Sequence, residues 1–455
     1  MYFQSINPTT EEPLRSYPQM SDREVEGALD ATHAAWLAWR ERDFDQRAAL
    51  LIAAATLLRS RSEMLAELMA LEMGKPVAQG RGEAEKCAWV CEHYAANARA
   101  MLADVPIVTD AASSYVTFRP LGPILAVMPW NFPLWQVFRF AAPALMAGNA
   151  VLLKHAPNVC GCALAIEGLL REAGAPEALF RVLMIGVEQI EAVIDDRRVA
   201  AVTVTGSRRA GKAVAEAAGR ALKRSVLELG GNDPYLVLAD ADVEAAAASC
   251  AASRLINSGQ SCIAAKRFIV VDAVREEFER IFVDRMRRVA VGDPRDPSTE
   301  VGPLARGDLR ETLHRQVTES AGRGARLLVG GELPPGPGSF YPPTVLTDVA
   351  PGMPAYEEET FGPVAAIIPA RDETEAIHIA NDSPYGLGAA VFTRDTRRGE
   401  EIASYALEAG NVFVNAFVKS DPRLPFGGIK ESGYGRELST FGIREFVNVK
   451  TIYVT

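Results

Sequence analysis

A chain of 455 residues is longer than one hydrophobic core usually serves, so its length predicts two or more domains. With 48% hydrophobic and 23% charged residues, and with Gly and Pro scattered, the composition is that of a globular protein and excludes a disordered chain. A formal net charge of -10 argues against a nucleic-acid footprint, which needs a basic stripe to neutralise phosphates.

Taken in order, Tyr2-Phe3-Gln4-Ser5 look like the remnant of a protease site and are expected to stand outside the fold. Ser21-Asp22-Arg23-Glu24 is a capping box ahead of Val25, Ala28, Leu29, Ala35, Trp36 and Trp39 at helical spacing. A second helical region carries Leu50, Leu51, Ala54, Leu57 and Leu58, then Leu65, Leu68 and Met69, and stops at Gly74-Lys75-Pro76. A third sets Cys87, Cys91, Tyr94 and Ala98 on one face. Two cysteines beside His93 raise a metal site, but a packed helix stripe is the better reading.

From Tyr115 the pattern turns to β-branched and aromatic residues. Strands are expected at Tyr115 to Phe118, Ile124 to Val127, Val151 to Lys154, Arg181 to Met184, Ala200 to Thr205 and Ser225 to Leu229, with helices at Cys162 to Glu172 and Arg208 to Leu222. This βαβ alternation predicts a parallel sheet covered on both faces, with ligands at the carboxyl ends of its strands. After Gly230-Gly231 a second series follows, with strands at Arg267 to Val271, Ala325 to Val329, Ala365 to Pro369, Ala390 to Thr393 and Asn411 to Asn415. The tail from Phe446 to Val454 alternates like a strand whose edge needs a partner. No apolar run reaches the roughly 20 residues of a membrane helix. Six cysteines at irregular spacing fit thiols in a reducing cytoplasm rather than a disulfide framework or a zinc site. His33, His93, His155, His314 and His378 suggest neither a triad nor a metal cluster.

Chemistry gathers around Asn257-Ser258-Gly259-Gln260-Ser261-Cys262. Small and polar neighbours leave the Cys262 thiol accessible, and Gly259 is read as letting backbone approach a ligand closely. Thiols are strong nucleophiles that need help to ionise, so Cys262 is the candidate nucleophile. Attack on a carbonyl makes an oxyanion, which a neutral donor stabilises by about 3 to 4 kcal/mol. Asn131, in Pro129-Trp130-Asn131-Phe132-Pro133, is suited to donate. Release of an acyl group from sulfur needs a general base, and Glu228 beside Gly230 and Gly231 is the candidate. In Val204-Thr205-Gly206-Ser207-Arg208 a strand runs into a Gly turn and a helix, where backbone amides and the helix dipole attract a pyrophosphate.

Together with Glu359-Thr360-Phe361-Gly362-Pro363 and Pro425-Phe426-Gly427-Gly428-Ile429-Lys430, these motifs resemble the NAD(P)-dependent aldehyde dehydrogenase superfamily over nearly the whole chain. The resemblance implies an α/β fold with a Rossmann-like cofactor domain (6-101 and 120-229) and an α/β catalytic domain (230-419). A small β oligomerisation flap with the C-terminal strand would take 102-119 and 420-455, making a homodimer or homotetramer. By the same resemblance, Asn131 and the Cys262 amide hold the oxyanion, Glu228 is the base, and Gly206 and Ser207 meet the pyrophosphate. Lys154 then contacts the adenosine ribose, Trp130 lies along the cofactor channel, and Glu359 with Phe361 holds the nicotinamide. NAD-specific relatives often carry a Glu where this chain has Pro157; with Arg208 and Arg209 near, NAD and NADP are both expected to serve.

For the substrate, the run from Trp130 to Arg139 is similar to bacterial succinate-semialdehyde dehydrogenases, in which an arginine at the Arg139 position pairs with the distal carboxylate. A second arginine found in several such enzymes is replaced by Ile256, with Ser420 or Arg423 as candidates to compensate. Ala264 stands where some relatives have a switching cysteine. The expected reaction is oxidation of succinate semialdehyde or a similar ω-carboxylated aldehyde. Alternatives are an uncharged aldehyde, a cysteine hydrolase, or a non-catalytic relative.

Overall fold

A computed structural model describes residues 2–455. A six-stranded sheet takes the first series of strands in the order Gly433–Tyr434, Arg224–Glu228, Ala201–Thr205, Pro123–Met128, Ala150–His155 and Phe180–Val182. All neighbours are parallel except the short first strand. A seven-stranded sheet takes the second series, in the order Arg326–Val329, Thr344–Thr347, Val364–Ala370, Arg267–Val271, Pro234–Val237, Gly388–Phe392 and Asn411–Val414. It is parallel but for the antiparallel first pair. Both central regions are apolar on both faces, as parallel sheets covered by helices require.

Strands Pro234–Val237 and Thr344–Thr347 escape the sequence reading because each is only four residues long and abuts prolines, Pro234 opening the first and Pro342-Pro343 preceding the second. Pro234 fits as the first residue of its strand, where the missing N–H costs least.

The capping box at Ser21 forms as expected, the Ser21 N–H donating to Glu24 at 2.7 Å at the start of helix Asp22–Trp39. The second helical region divides into Phe44–Ser60 and Ser62–Met73, and Gly74 closes it at φ +77. In helix Val77–Met101, Cys87, Cys91, Tyr94 and Ala98 are all fully buried in the core.

Residues 2–6 belong to the fold, contrary to the expectation that they stand outside it. Tyr2–Ile6 pairs antiparallel with Pro13–Pro18, and the Ser5 hydroxyl donates to Glu72 at 2.7 Å. Glu72 also accepts from the backbone N–H groups of Gly161 and Cys162, both at 2.9 Å, and so satisfies the start of helix Cys160–Glu172. A local sequence reading has no access to that carboxylate.

The tail strand Val447–Val454 finds a partner inside the chain. It pairs along its length with Ser113–Pro120, which also pairs with Val105–Pro106. The other edge of Val447–Val454 is open, with Val449, Tyr453 and Val454 about half exposed.

Candidate active site

The six-stranded sheet ends toward the site. Trp130 and Asn131 follow strand Pro123–Met128, Gly206 follows Ala201–Thr205, and Glu228 closes Arg224–Glu228. Cys262 and Glu359 arrive from the opposite side, ahead of strands Arg267–Val271 and Val364–Ala370. The site therefore lies where the two sheets face each other.

The nucleophile loop leaves helix Val243–Leu255 through three successive left-handed residues, Asn257 (φ 54), Ser258 (φ 55) and Gly259 (φ 75). Two of these carry a Cβ, a strain of roughly 1 to 3 kcal/mol each that persists only where neighbours over-determine it. Several do. Arg254 Nη2 donates to Gly259 O at 2.6 Å, Asn257 Nδ2 to Asn131 O at 2.6 Å, and Gly302 N to Ser258 Oγ at 2.9 Å. Lys266, fully buried, donates to the carbonyls of Ser261, Cys262 and Ala264 at 3.0, 2.8 and 3.0 Å. Gly259 serves the protein itself rather than a ligand: a Cβ there would stand 2.2 Å from Gly362 O. That close approach holds the Cys262 loop against the Glu359-Thr360-Phe361 segment.

Cys262 is half-buried and opens on a cavity of about 970 Å³ that Trp135, Arg139, Ile256, Ser420 and Phe426 also line. Burial pushes its thiol up to about 12, with Arg139 and Lys266 pulling it down and Glu359 and Asp233 adding to the rise. Asn131 is 4% exposed, and its Nδ2 donates to Gln260 O at 3.0 Å, which fixes the amide beside the nucleophile loop.

Glu228 is 2% exposed, and neither carboxyl oxygen has a hydrogen-bond partner among the described residues. A Cβ on Gly427 would come within 2.7 Å of its Oε1, so the carboxyl rests against the C-terminal segment. Burial first, then the nearby Glu437, raise it well above the usual carboxylate range, while Arg139 and Arg436 oppose them. Arg139 is itself buried in helix Trp135–Met146; it forms an ion pair with Glu437, reaches Thr205 Oγ1 at 3.3 Å and lies over the Phe426 ring at 4.8 Å.

On the cofactor side, Ser207 caps helix Arg208–Arg220 by accepting from Ala210 N at 3.3 Å. Above Gly206 the space is open: the atom nearest to an added Cβ is Ala210 Cβ, at 3.9 Å. At Gly211 a Cβ would meet Leu229 at 2.5 Å, so helix and strand pack closely there. Trp130 and Phe361 make an edge-to-face pair at 5.7 Å. Glu359 accepts from Gly231 N at 3.0 Å and lies 3.7 Å from Lys266. Lys154, the penultimate residue of strand Ala150–His155, is 8% exposed, and the buried Asn158 keeps both side-chain polar atoms unpartnered among the described residues. An open Gly turn at a capped helix start, with a cation near the end of the strand two places along the sheet and an orphaned amide just beyond that strand, fits a dinucleotide.

A family model described as "Aldehyde dehydrogenase family" matches residues 1–452. The chain belongs to this family. Among its aldehyde dehydrogenase relatives, the succinate semialdehyde dehydrogenase (NAD(P)+) Sad of Escherichia coli is 48% identical over 449 residues, covering 99% of this chain and 97% of that protein. A probable succinate-semialdehyde dehydrogenase (NADP+) of Synechocystis sp. is 47% identical over 454 residues, the full length of both. The crystal structure of succinic semialdehyde dehydrogenase from Streptococcus pyogenes, in complex with NADP+, superposes with a TM-score of 0.97 at 39% identity, covering 99% of each chain. The expected aldehyde dehydrogenase fold is thus borne out.

Within this frame two expectations change. Arg423 turns away from the task proposed for it, binding Asp421 at 2.7 and 2.9 Å with a 70% exposed side chain. Arg208 is held by Glu431, which leaves Arg209, exposed and outside any ion pair among the described residues, as the freer cation. Sequence reasoning missed Lys266, Glu437 and Lys86, and gave Asn257, at the head of the nucleophile stretch, no role of its own. Lys86 and Glu437 act on residues that only the fold brings to them, whereas Lys266 reaches carbonyls of its own neighbourhood, a contact that loop geometry and not spacing creates.

Proposed function

We propose that this aldehyde dehydrogenase oxidises succinate semialdehyde, or a closely related short ω-carboxylated aldehyde, to the acid, using NAD or NADP. The observation that carries the reading is the opening of Cys262 onto a cavity shared with Arg139 and Ser420. The names of relatives 47 and 48% identical over the full length support it.

The Cys262 sulfur bonds the aldehyde carbon, its thiol proton leaves, and the carbonyl oxygen becomes an oxyanion received by Asn131 Nδ2 and the Cys262 amide. With its thiol held near 12 in this arrangement, Cys262 waits for added positive charge or a base before it attacks. Bound NAD or NADP supplies the acceptor for the hydride released from that carbon. The thioester left on Cys262 is opened by water, whose proton goes to Glu228, and the acid and the thiol are released. For this, Glu228 must give up its proton and swing from Gly427 toward Cys262. Pro157, in place of an acidic residue, leaves nothing at that position to repel a 2'-phosphate, which supports use of either cofactor.

We further infer a homodimer or homotetramer, supported by the open edge of strand Val447–Val454, and residence in the cytoplasm, supported by six free thiols. Among the described residues no helix is long and apolar enough to cross a membrane.

The commitment of Arg139 to Glu437 favours a second reading, an uncharged aliphatic or aromatic aldehyde. The deciding experiment measures cofactor reduction with succinate semialdehyde and butanal, each with NAD and with NADP. Strong preference for the carboxylated aldehyde is expected; equal or better use of butanal would overturn the reading.

A further inference from the structure

Charge on the inner wall of the Cys262 cavity is distributed unevenly. Glu83 is matched by Lys75 and also accepts the backbone N–H groups of Leu134 and Trp135 at 2.8 and 2.9 Å. Arg139 is matched by Glu437. Where the family resemblance leads one to expect a second carboxylate-binding arginine, Ile256 offers an apolar surface. Lys86 is different: among the described residues no carboxylate lies within ion-pair distance of its ammonium.

Lys86 stands one turn after Glu83 on helix Val77–Met101 and lines the same cavity as Cys262. Its Nζ donates to Ser420 Oγ at 2.7 Å and sits over the Trp135 ring at 4.3 Å. Asp421, next to Ser420, is held by Arg423. One of three ammonium donors is therefore used, and two remain for another acceptor. Burial, with the charge of Arg139 adding to it, pushes the ammonium down to about 8, so an anion alongside would be welcome. Lys86, Arg139 and Cys262 all line this one cavity.

We propose that Lys86, presented together with Ser420, binds the distal carboxylate of the aldehyde and supplies the net positive charge that the Arg139–Glu437 pair cannot. The inference rests on the reading of the substrate as an ω-carboxylated aldehyde. Arg139 then borders the carboxylate as a hydrogen-bond donor of an already neutralised pair, and Ser420 orients the ammonium and donates its own hydroxyl proton.

The test compares kcat and KM of the wild type, Lys86→Met and Lys86→Arg with succinate semialdehyde and butanal at saturating NADP. Loss of one charge-assisted hydrogen bond predicts a fall in kcat/KM for succinate semialdehyde of roughly 10- to 100-fold in Lys86→Met. It should reside mainly in KM and exceed the loss on butanal by at least about tenfold. Lys86→Arg, which keeps the charge, should retain most of the preference. Equal losses on the two aldehydes, or an unchanged KM for succinate semialdehyde, would overturn the assignment. A wild type that prefers butanal would instead overturn the substrate reading itself, before any variant is compared.

Discussion

Arg139 and Glu437 form an ion pair with side chains only 2% and 3% exposed, joining the helix behind the nucleophile cavity to the C-terminal segment. A pair this dry is strongly coupled to its surroundings, because removing one partner strands the other charge in a poor solvent.

Glu437→Gln should therefore cost about 3 kcal/mol or more in stability, read from urea denaturation. By releasing Arg139 it should also raise the preference for succinate semialdehyde over butanal. An unchanged preference would mean that the guanidinium does not meet the substrate.

Glu228 holds its proton above the usual carboxylate range. Hydrolysis of the thioester needs the ionised form, so wild-type steady-state turnover should rise as pH climbs above the usual carboxylate range. Glu228→Gln should trap acyl-enzyme, give a burst of reduced cofactor and lower kcat by roughly 100-fold or more. Undiminished kcat would remove the base assignment. Stability carries a second signature. The unfolded carboxyl loses its proton near 4.5 while the folded one keeps it, so this group costs stability increasingly as pH rises above that value, until the folded carboxyl also ionises. Glu228→Gln should therefore be more stable relative to wild type at pH 8 than at pH 4, and a difference independent of pH would contradict the raised carboxyl.

With the Cys262 thiol near 12, the thiolate fraction of cofactor-free enzyme grows about tenfold per pH unit well beyond the range where ordinary thiols level off. Iodoacetamide labelling, followed against a Cys262→Ala control, should climb without a plateau between pH 7 and 9.5. Levelling near 8.5 would show an unperturbed thiol. The same experiment with NADP present should be faster if cofactor binding brings positive charge to the sulfur.

Lys266→Met would free three carbonyls of the nucleophile loop at once. Each buried acceptor left unpaired costs about 1 to 3 kcal/mol, so the strained turn at Asn257 and Ser258 should relax and Cys262 lose its aim. The expected outcome is a drop in both denaturation midpoint and kcat with every aldehyde. A stable variant with normal kcat would show that the loop holds its shape without the clamp.

Local patterns in the chain were sufficient for much of this protein. Ser21 and Glu24 announce a helix start, because a capping box is made of neighbours. The parallel strands from Ile124 to Glu228 stand out as β-branched runs bounded by turns, and Cys262, Glu228 and Asn131 could be singled out by motif. Strands Pro234–Val237 and Thr344–Thr347 were illegible because each is a four-residue run that prolines open or precede, which reads locally as a turn. Tertiary structure alone decided what each functional group does with its charge. Lys86 meets Ser420 across 334 residues of sequence, and the pairing of Arg139 with Glu437 and the seating of Ser5 on Glu72 likewise join distant segments. The physical reason is that side-chain identity and local periodicity act over a few residues, whereas the ionisation and partnership of a buried charge depend on whichever groups the folded chain places within a few ångströms of it.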